Sequence, residues 1–228
     1  RFETLVRIER DLIMSNFSAD SIEEKKKLVI GLYGEMHLSM HLHELGWQVH
    51  RAYIDEGIDF TITKYWCPKC KKYSNQWIRK SKWKTSTAKC VTNLCEHCKE
   101  TELKIVSRYL QVKTSEGKEI PGDNTCRDFS FHPKIRYDMG DDVFYVWIAV
   151  FSDDKGEKQC YYYIFNTKDV TKFDNINIDT YQITDNQKTT LRIRKVDGAV
   201  INKGKIYDYS CFNKKFFHDF NCLELECK

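Results

Sequence analysis

Two groups of side chains have the types and spacing to do chemistry. The first is a pair of Cys-x-x-Cys turns, Cys67-Pro-Lys-Cys70 and Cys95-Glu-His-Cys98. Four thiolates on two such turns converge on a tetrahedron, as in zinc ribbons, and leave no open position for substrate, so zinc bound there is structural. Cys90 and His97 compete for a ligand position by proximity in sequence. The second group is rich in oxygen donors: Glu35, Asp59 and the tripeptide Gln111-Val112-Lys113. A hard divalent cation, magnesium or manganese, takes oxygen ligands, polarises a phosphodiester and lowers the pKa of a bound water. Asp59 offers a carboxylate, Gln111 a side-chain carbonyl and Val112 its main-chain oxygen, and Glu35 completes the shell directly or through water. Lys113 is no ligand; its ammonium would orient the attacking water and stabilise developing charge.

These residues need elements to position them. Ser21 with Glu24 three positions later is a capping-box signature, and the run from Ile22 to Leu45, stopped by Gly46, is expected to be one long helix. On it Leu28, Gly31, Glu35, Leu38, Leu42 and Leu45 follow a 3,4 spacing that predicts the core-facing stripe and puts Glu35 on an apolar face, where a carboxylate needs a cation, a hydrogen-bond partner or a metal. WQVHRAY reads as a strand and DEG as a turn. IDFTITKYW is a strand with Ile58, Phe60 and Ile62 opposite Asp59 and Thr61, and a third strand runs from about Leu103 to Thr114. The last two are expected to form an antiparallel hairpin with the cysteine-rich segment at its tip and with Asp59 beside Gln111 and Lys113 at its far end.

Charge separates the segment 64–108 from the rest. Twelve basic residues stand there against Glu96, Glu100 and Glu102, a net +9, which leaves −5 for the remainder of a chain whose total is +4. Trp66, Trp77 and Trp83 lie in the same stretch. Cations interleaved with flat rings suit a nucleic-acid backbone and unstacked bases, with Lys71, Lys72, Trp77, Arg79, Lys80, Lys82, Trp83 and Lys84 as the candidate contacts. The other reading, that the tryptophans form the small core of a solvated zinc module, stays open. Hydrophobic content of 41% across 228 residues marks a folded globular chain. No apolar run of about 18 residues is present, so no membrane span is expected, and the absence of a charged-then-apolar leader suggests a cytoplasmic protein, although a chain opening on Arg1 leaves a trimmed N-terminus open.

Glu35 on a helix, Gly57-Ile58-Asp59 on the next hairpin and Gln111-Val112-Lys113 after it resemble the PD-(D/E)XK nuclease superfamily, in the Gln-x-Lys variant of Mrr-type restriction endonucleases. The matching segment runs from about Ser21 to Ser115 without the insert. The resemblance implies an α/β fold: a restriction-endonuclease-like core, its central mixed sheet flanked by helices, here with a zinc-ribbon-like insert. It implies a single nuclease-like domain over 1–228, magnesium-dependent hydrolysis of DNA in restriction or defence against foreign DNA, and an active-site set of Glu35, Asp59, Gln111 and Lys113. Gln111 stands where an acid is more usual, which lowers the site's negative charge. A non-catalytic zinc-containing nucleic-acid-binding protein on a nuclease-like scaffold is the alternative, RNA the alternative substrate, and a homodimer or larger assembly is compatible with either.

Other features have simpler readings. His37 and His41 lack the His-Glu-x-x-His pattern and are expected on a solvated helix face. VFYVWIAV near residue 145 and CYYYIF near 160 read as buried strands. DYSCFNKKFFHDF reads as a closing helix with Phe212, Phe216 and Phe220 on one face. Cys126, Cys160, Cys211, Cys222 and Cys227 are expected to be reduced thiols used as small side chains.

Overall fold

The computed structural model describes residues 19–52, 57–74, 94–131, 140–153, 156–166, 189–201, 213–214 and 216–224. The long helix α1 is Ala19–Glu44. It is helical from Ala19, so Ser21 lies inside its first turn and does not cap it. Gly46, at φ +83°, ends it, with the Trp47 N–H donating back to the Leu42 carbonyl at 2.9 Å. A left-handed residue after the last turn satisfies otherwise orphaned carbonyls, and glycine adopts that conformation without steric cost.

The central sheet holds six strands: β1 Gln48–Arg51, β2 Phe60–Cys67, β3 Lys72–Ser74, β4 Lys104–Glu116, β7 Val143–Ser152 and β8 Lys158–Asn166. Its order is β1-β2-β4-β7-β8, with β3 sharing the outer edge of β2. The β2/β4 hairpin is antiparallel as expected. The ladder between β4 and β7 is parallel, which makes the sheet mixed. A smaller antiparallel sheet, ordered β10-β9-β6-β5, is built from β5 Lys118–Ile120, β6 Asp123–Phe131, β9 Thr189–Arg194 and β10 Val200–Ile201. The chain passes from one sheet to the other at Gly117, where a Cβ would lie 2.6 Å from the Phe129 ring and 2.7 Å from Arg127 Cβ.

Strand alternation divides the core. Phe144, Val146, Ile148 and Val150 of β7 join Leu38 and Leu42 of α1 in one cluster. Tyr145, Trp147, Ala149 and Phe151 join Phe129, Phe131, Leu191 and Ile193 of the smaller sheet in the other. Among the described residues α1 covers one face of this central mixed sheet and the four-stranded sheet covers the other. β7 and β8 are buried on both sides, as their continuous apolar runs require. No helix among the described residues is long and apolar enough to cross a membrane.

Three local readings also change. Leu38 and Leu42 are fully buried, but Leu28 and Leu45 are exposed. Gly34 decides this, because a Cβ there would lie 2.1 Å from Thr114 Oγ1. The α1 backbone thus sits directly on β4, and Ile30, Tyr33, Leu38 and Leu42 turn to the sheet, which rolls Glu35 to the flank. His37 is exposed, as expected, whereas His41 is half-buried. The His37 imidazole Nδ1 meets the Tyr162 hydroxyl, and the His41 ring stacks on Tyr162 at 5.7 Å and packs edge-on against Phe220 at 4.6 Å. The closing helix is interrupted: His218 has φ +52° and its N–H bonds to the Tyr162 carbonyl. In consequence Phe216 enters the core on one face of the sheet and Phe220 that on the other; Phe212 lies outside the described residues.

Candidate functional site

The cysteine-rich segment is two hairpin turns built alike. β2 and β3 pair through Cys67 and Lys72 around the first turn, and a bridge between Leu94 and Glu102 closes the second. In each the residue after the second cysteine, Lys71 or Lys99, is left-handed, at φ 51° and 55°. The four sulfurs lie within 4.8 Å of one another. Cys67 and Cys98 are 3.8 Å apart, and so are Cys70 and Cys95. A tetrahedron with zinc–sulfur bonds of about 2.3 Å has an edge of about 3.8 Å, so the set fits zinc. Cys98 is lowered to about 6, chiefly by the Glu100 backbone N–H, and Cys95 is lowered chiefly by that of Cys98. Cys70 is raised, by burial first and then by the neighbouring thiols. The contrast is that of thiols crowded into one charge-limited cluster, which a dication relieves. Among the described residues Cys67, Cys95 and Leu103 form the module's buried cluster, with Tyr65 packed against it. His97 is exposed; Cys90 lies outside the described residues.

Among the described basic residues of the segment, Lys64 and Arg108 are buried against the body. The Lys64 ammonium is buried, donating to the Leu45 carbonyl at 2.9 Å and to Glu224 at 2.8 Å. Arg108 is buried too, bonded to the Leu223 carbonyl and to Asp142. Strands β2 and β4 run on through residues 64–67 and 104–108, so the sheet reaches into the basic segment. Trp66 packs edge-on against Tyr73 at 4.8 Å, a structural use of its ring. Lys71 and Lys72 are exposed. Trp77, Arg79, Lys80, Lys82, Trp83 and Lys84 lie outside the described residues.

At the other end of the hairpin β4 outlasts β2. The β2/β4 register ends with Phe60 opposite Leu110, while the parallel ladder to β7 continues to Glu116. Asp59 sits at this break. Its N–H donates to the Leu110 carbonyl at 2.9 Å, and its carboxylate Oδ2 takes the Val112 N–H at 2.6 Å, where a ladder carbonyl would otherwise stand. A charge-assisted bond of this kind contributes about 1.5–3 kcal/mol. Oδ1 has no protein partner among the described residues. The carbonyl of a strand residue points to the same edge as its N–H, so the Val112 oxygen also faces the break.

Gln111 and Lys113 alternate with Leu110 and Val112, which pack toward α1, and so belong to the opposite face. There Ser115 accepts the Ser130 N–H from β6. Gln111 is 5% exposed, yet its amide makes no hydrogen bond among the described residues, and the Lys113 ammonium has no ion pair there. Gly57, at φ +89°, approaches Gln111: a Cβ on it would lie 3.8 Å from the amide nitrogen. Glu35, 22% exposed, pairs with Arg51 at 2.9 Å on the α1 face. The fold thus sets the Asp59 carboxylate on the Val112 main chain, with Gln111 and Lys113 on one face of β4 and Glu35, paired with Arg51, on the α1 face. Arg51 went unnoticed in the sequence. It shares the α1-facing side of β1 with Val49, a signal that strand alternation carries but that acquires a meaning only once the register places Arg51 opposite Phe60.

No family model and no solved structure matches the chain. Among curated proteins it is similar to the beta subunit of the type II restriction enzyme BslI of Bacillus sp. (strain NEB-606), 30% identical over 114 residues. The likeness is to part of a restriction enzyme. It covers 50% of this chain and 31% of that subunit, so the chain spans about a third of the relative's length. This points to a restriction-nuclease relationship at the coarse level.

Proposed function

We propose that the chain is a metal-dependent endonuclease that hydrolyses phosphodiester bonds of DNA, within a restriction system. The observation that supports the reading is the break in the β2/β4 ladder, where the Asp59 carboxylate takes the Val112 N–H beside Gln111. The Gln111 side-chain carbonyl and the Val112 main-chain oxygen would join that carboxylate as ligands. These donors are all oxygens, the set that magnesium or manganese takes. When bound, such an ion supplies Lewis-acid polarisation of the scissile phosphate and a more acidic water.

The chain's own residues divide the remaining work. Asp59 Oδ2 is held by the Val112 N–H, so its carboxylate is aimed before any ligand arrives. Lys113, without an ion pair among the described residues, is available to phosphate oxygens. Glu35 serves by way of water or by exchanging Arg51 for the ion. DNA is preferred over RNA because the similar protein is named as a restriction enzyme subunit. The Cys67, Cys70, Cys95 and Cys98 module is a structural clip that carries the basic surface.

The pairing of Glu35 with Arg51 favours a second reading, a non-cutting nucleic-acid-binding scaffold, since that carboxylate is already neutralised. One experiment separates the two. Purified protein is incubated with plasmid, linear and single-stranded DNA and with RNA, in magnesium, manganese or EDTA. Metal-dependent DNA cleavage that Asp59→Ala and Lys113→Ala each reduce by about 100-fold or more, with far-UV circular dichroism unchanged, supports the enzyme. Binding without cleavage in every metal supports the scaffold.

A further inference from the structure

The side of α1 turned away from the sheet is apolar. Leu28, Leu32, Met36 and Met40, four residues apart, make one continuous ridge, with Val29 beside it, and their exposure runs from 45% at Leu32 to 72% at Leu28. A helix on the surface of a monomer ordinarily puts charge on its outer face. These five side chains expose roughly 600 Å², the upper end of what a monomer leaves bare and most of the ~800 Å² per partner of a standard interface. Along the β1 side of the ridge runs a groove of about 290 Å³, lined by Val49, Phe60 and the Glu35–Arg51 pair. A ridge beside a groove is the complementary shape that helix packing requires.

We infer that this face is where a second copy of the chain docks, through a two-fold antiparallel crossing of the two α1 helices. Two observations select a copy of itself as the occupant. The ridge is symmetric in position about residue 34, so reversing it sets Leu32 against Met36 of the second copy and Leu28 against Met40. Rows spaced by four residues on both helices interlock at about 50°. The area, doubled by symmetry, reaches the range of a specific dimer once the groove's walls are included. The antiparallel sense follows from charge. A parallel pair would bring Lys25, Lys26 and Lys27 of one chain against the same lysines of the other, whereas the antiparallel pair keeps them apart and opposes the helix dipoles.

The test is analytical ultracentrifugation of the full chain from about 1 to 100 µM, with far-UV circular dichroism as the control on folding. The expected result is a doubling of mass within that range. Met36→Glu and Leu32→Lys alter exposed positions and leave the fold intact. Each should weaken association at least tenfold, and the double variant should restore it at low salt, because each Lys then meets the Glu of the other copy. A wild type that stays monomeric to 100 µM, a dimer indifferent to Met36→Glu, or single variants that the double variant fails to rescue would each overturn the pairing. A monomer whose Leu32 and Met36 amides lose hydrogen-exchange protection when residues 1–18 are removed would also overturn it, assigning the ridge to the chain's own N-terminal segment.

Discussion

Two glycines on α1, three residues apart, should respond to the same substitution with opposite signs. Gly31→Ala places a Cβ that meets nothing within 4 Å, so the only effect is relief of glycine's backbone entropy, a gain of roughly 0.5–1 kcal/mol. Gly34→Ala gains the same amount but places its Cβ 2.1 Å from Thr114 Oγ1, 2.7 Å from Cγ2 and 2.9 Å from Cβ. No rotation of Thr114 clears all three contacts, so the helix must lift from β4. Overpacking of this kind costs about 1–3 kcal/mol, and loosening Leu38 and Leu42, each contributing about 1.5–3 kcal/mol when fully buried, adds to it. The net loss should be about 2 kcal/mol, a fall of roughly 4–8 °C in Tm for a chain of this length, against a rise of a few degrees for Gly31→Ala. Thermal and urea unfolding at one fixed protein concentration measure both. Thr114→Ala should itself cost little, because the Thr114 hydroxyl is buried without a hydrogen bond, and it should recover at least about 1 kcal/mol in the Gly34→Ala background. If Gly34→Ala stabilises the protein as Gly31→Ala does, the close approach of α1 to β4 is wrong, and with it the placement of Glu35 beside Arg51.

Protein purified without chelator should contain one zinc per chain by elemental analysis, and Cys67→Ser should lose it while the α/β body keeps its Tm, since a structural zinc site supplies much of its own module's folding energy. Charge reversal at Lys80, Lys82 and Lys84 should weaken nucleic-acid binding and flatten its dependence on salt by about 2–3 in log–log slope; an unchanged slope would move the grip elsewhere. Arg51→Gln should raise the apparent metal affinity of the nuclease by removing the Arg51 charge from beside Glu35, read as a lower magnesium concentration for half-maximal cleavage. No change there would exclude Glu35 from the metal shell.

What the sequence determined by itself is whatever depends on neighbours along the chain. The Cys-x-x-Cys spacing, the stop at Gly46, the β2/β4 hairpin and the continuous apolar runs of β7 and β8 were all legible, because turn chemistry and alternation are local. The tertiary structure decided everything that turns on which surface meets which. α1 carries apolar residues on two sides, so periodicity alone could not choose between the Leu38–Leu42 side and the Leu28–Met40 ridge; the contact of Gly34 with Thr114 chose. Phe216 and Phe220 share a helical spacing, yet the left-handed His218 between them sends one to each face of the sheet. Glu35 on an apolar face called for a partner, and only the β1/β2 register could supply Arg51. The same limit holds at the candidate metal site. Asp59 and Gln-Val-Lys are visible as residue types, but the break that exposes the Val112 main chain to the Asp59 carboxylate exists because β4 continues beside β7 after β2 has ended, and strand lengths in a sheet are settled by pairing across the fold.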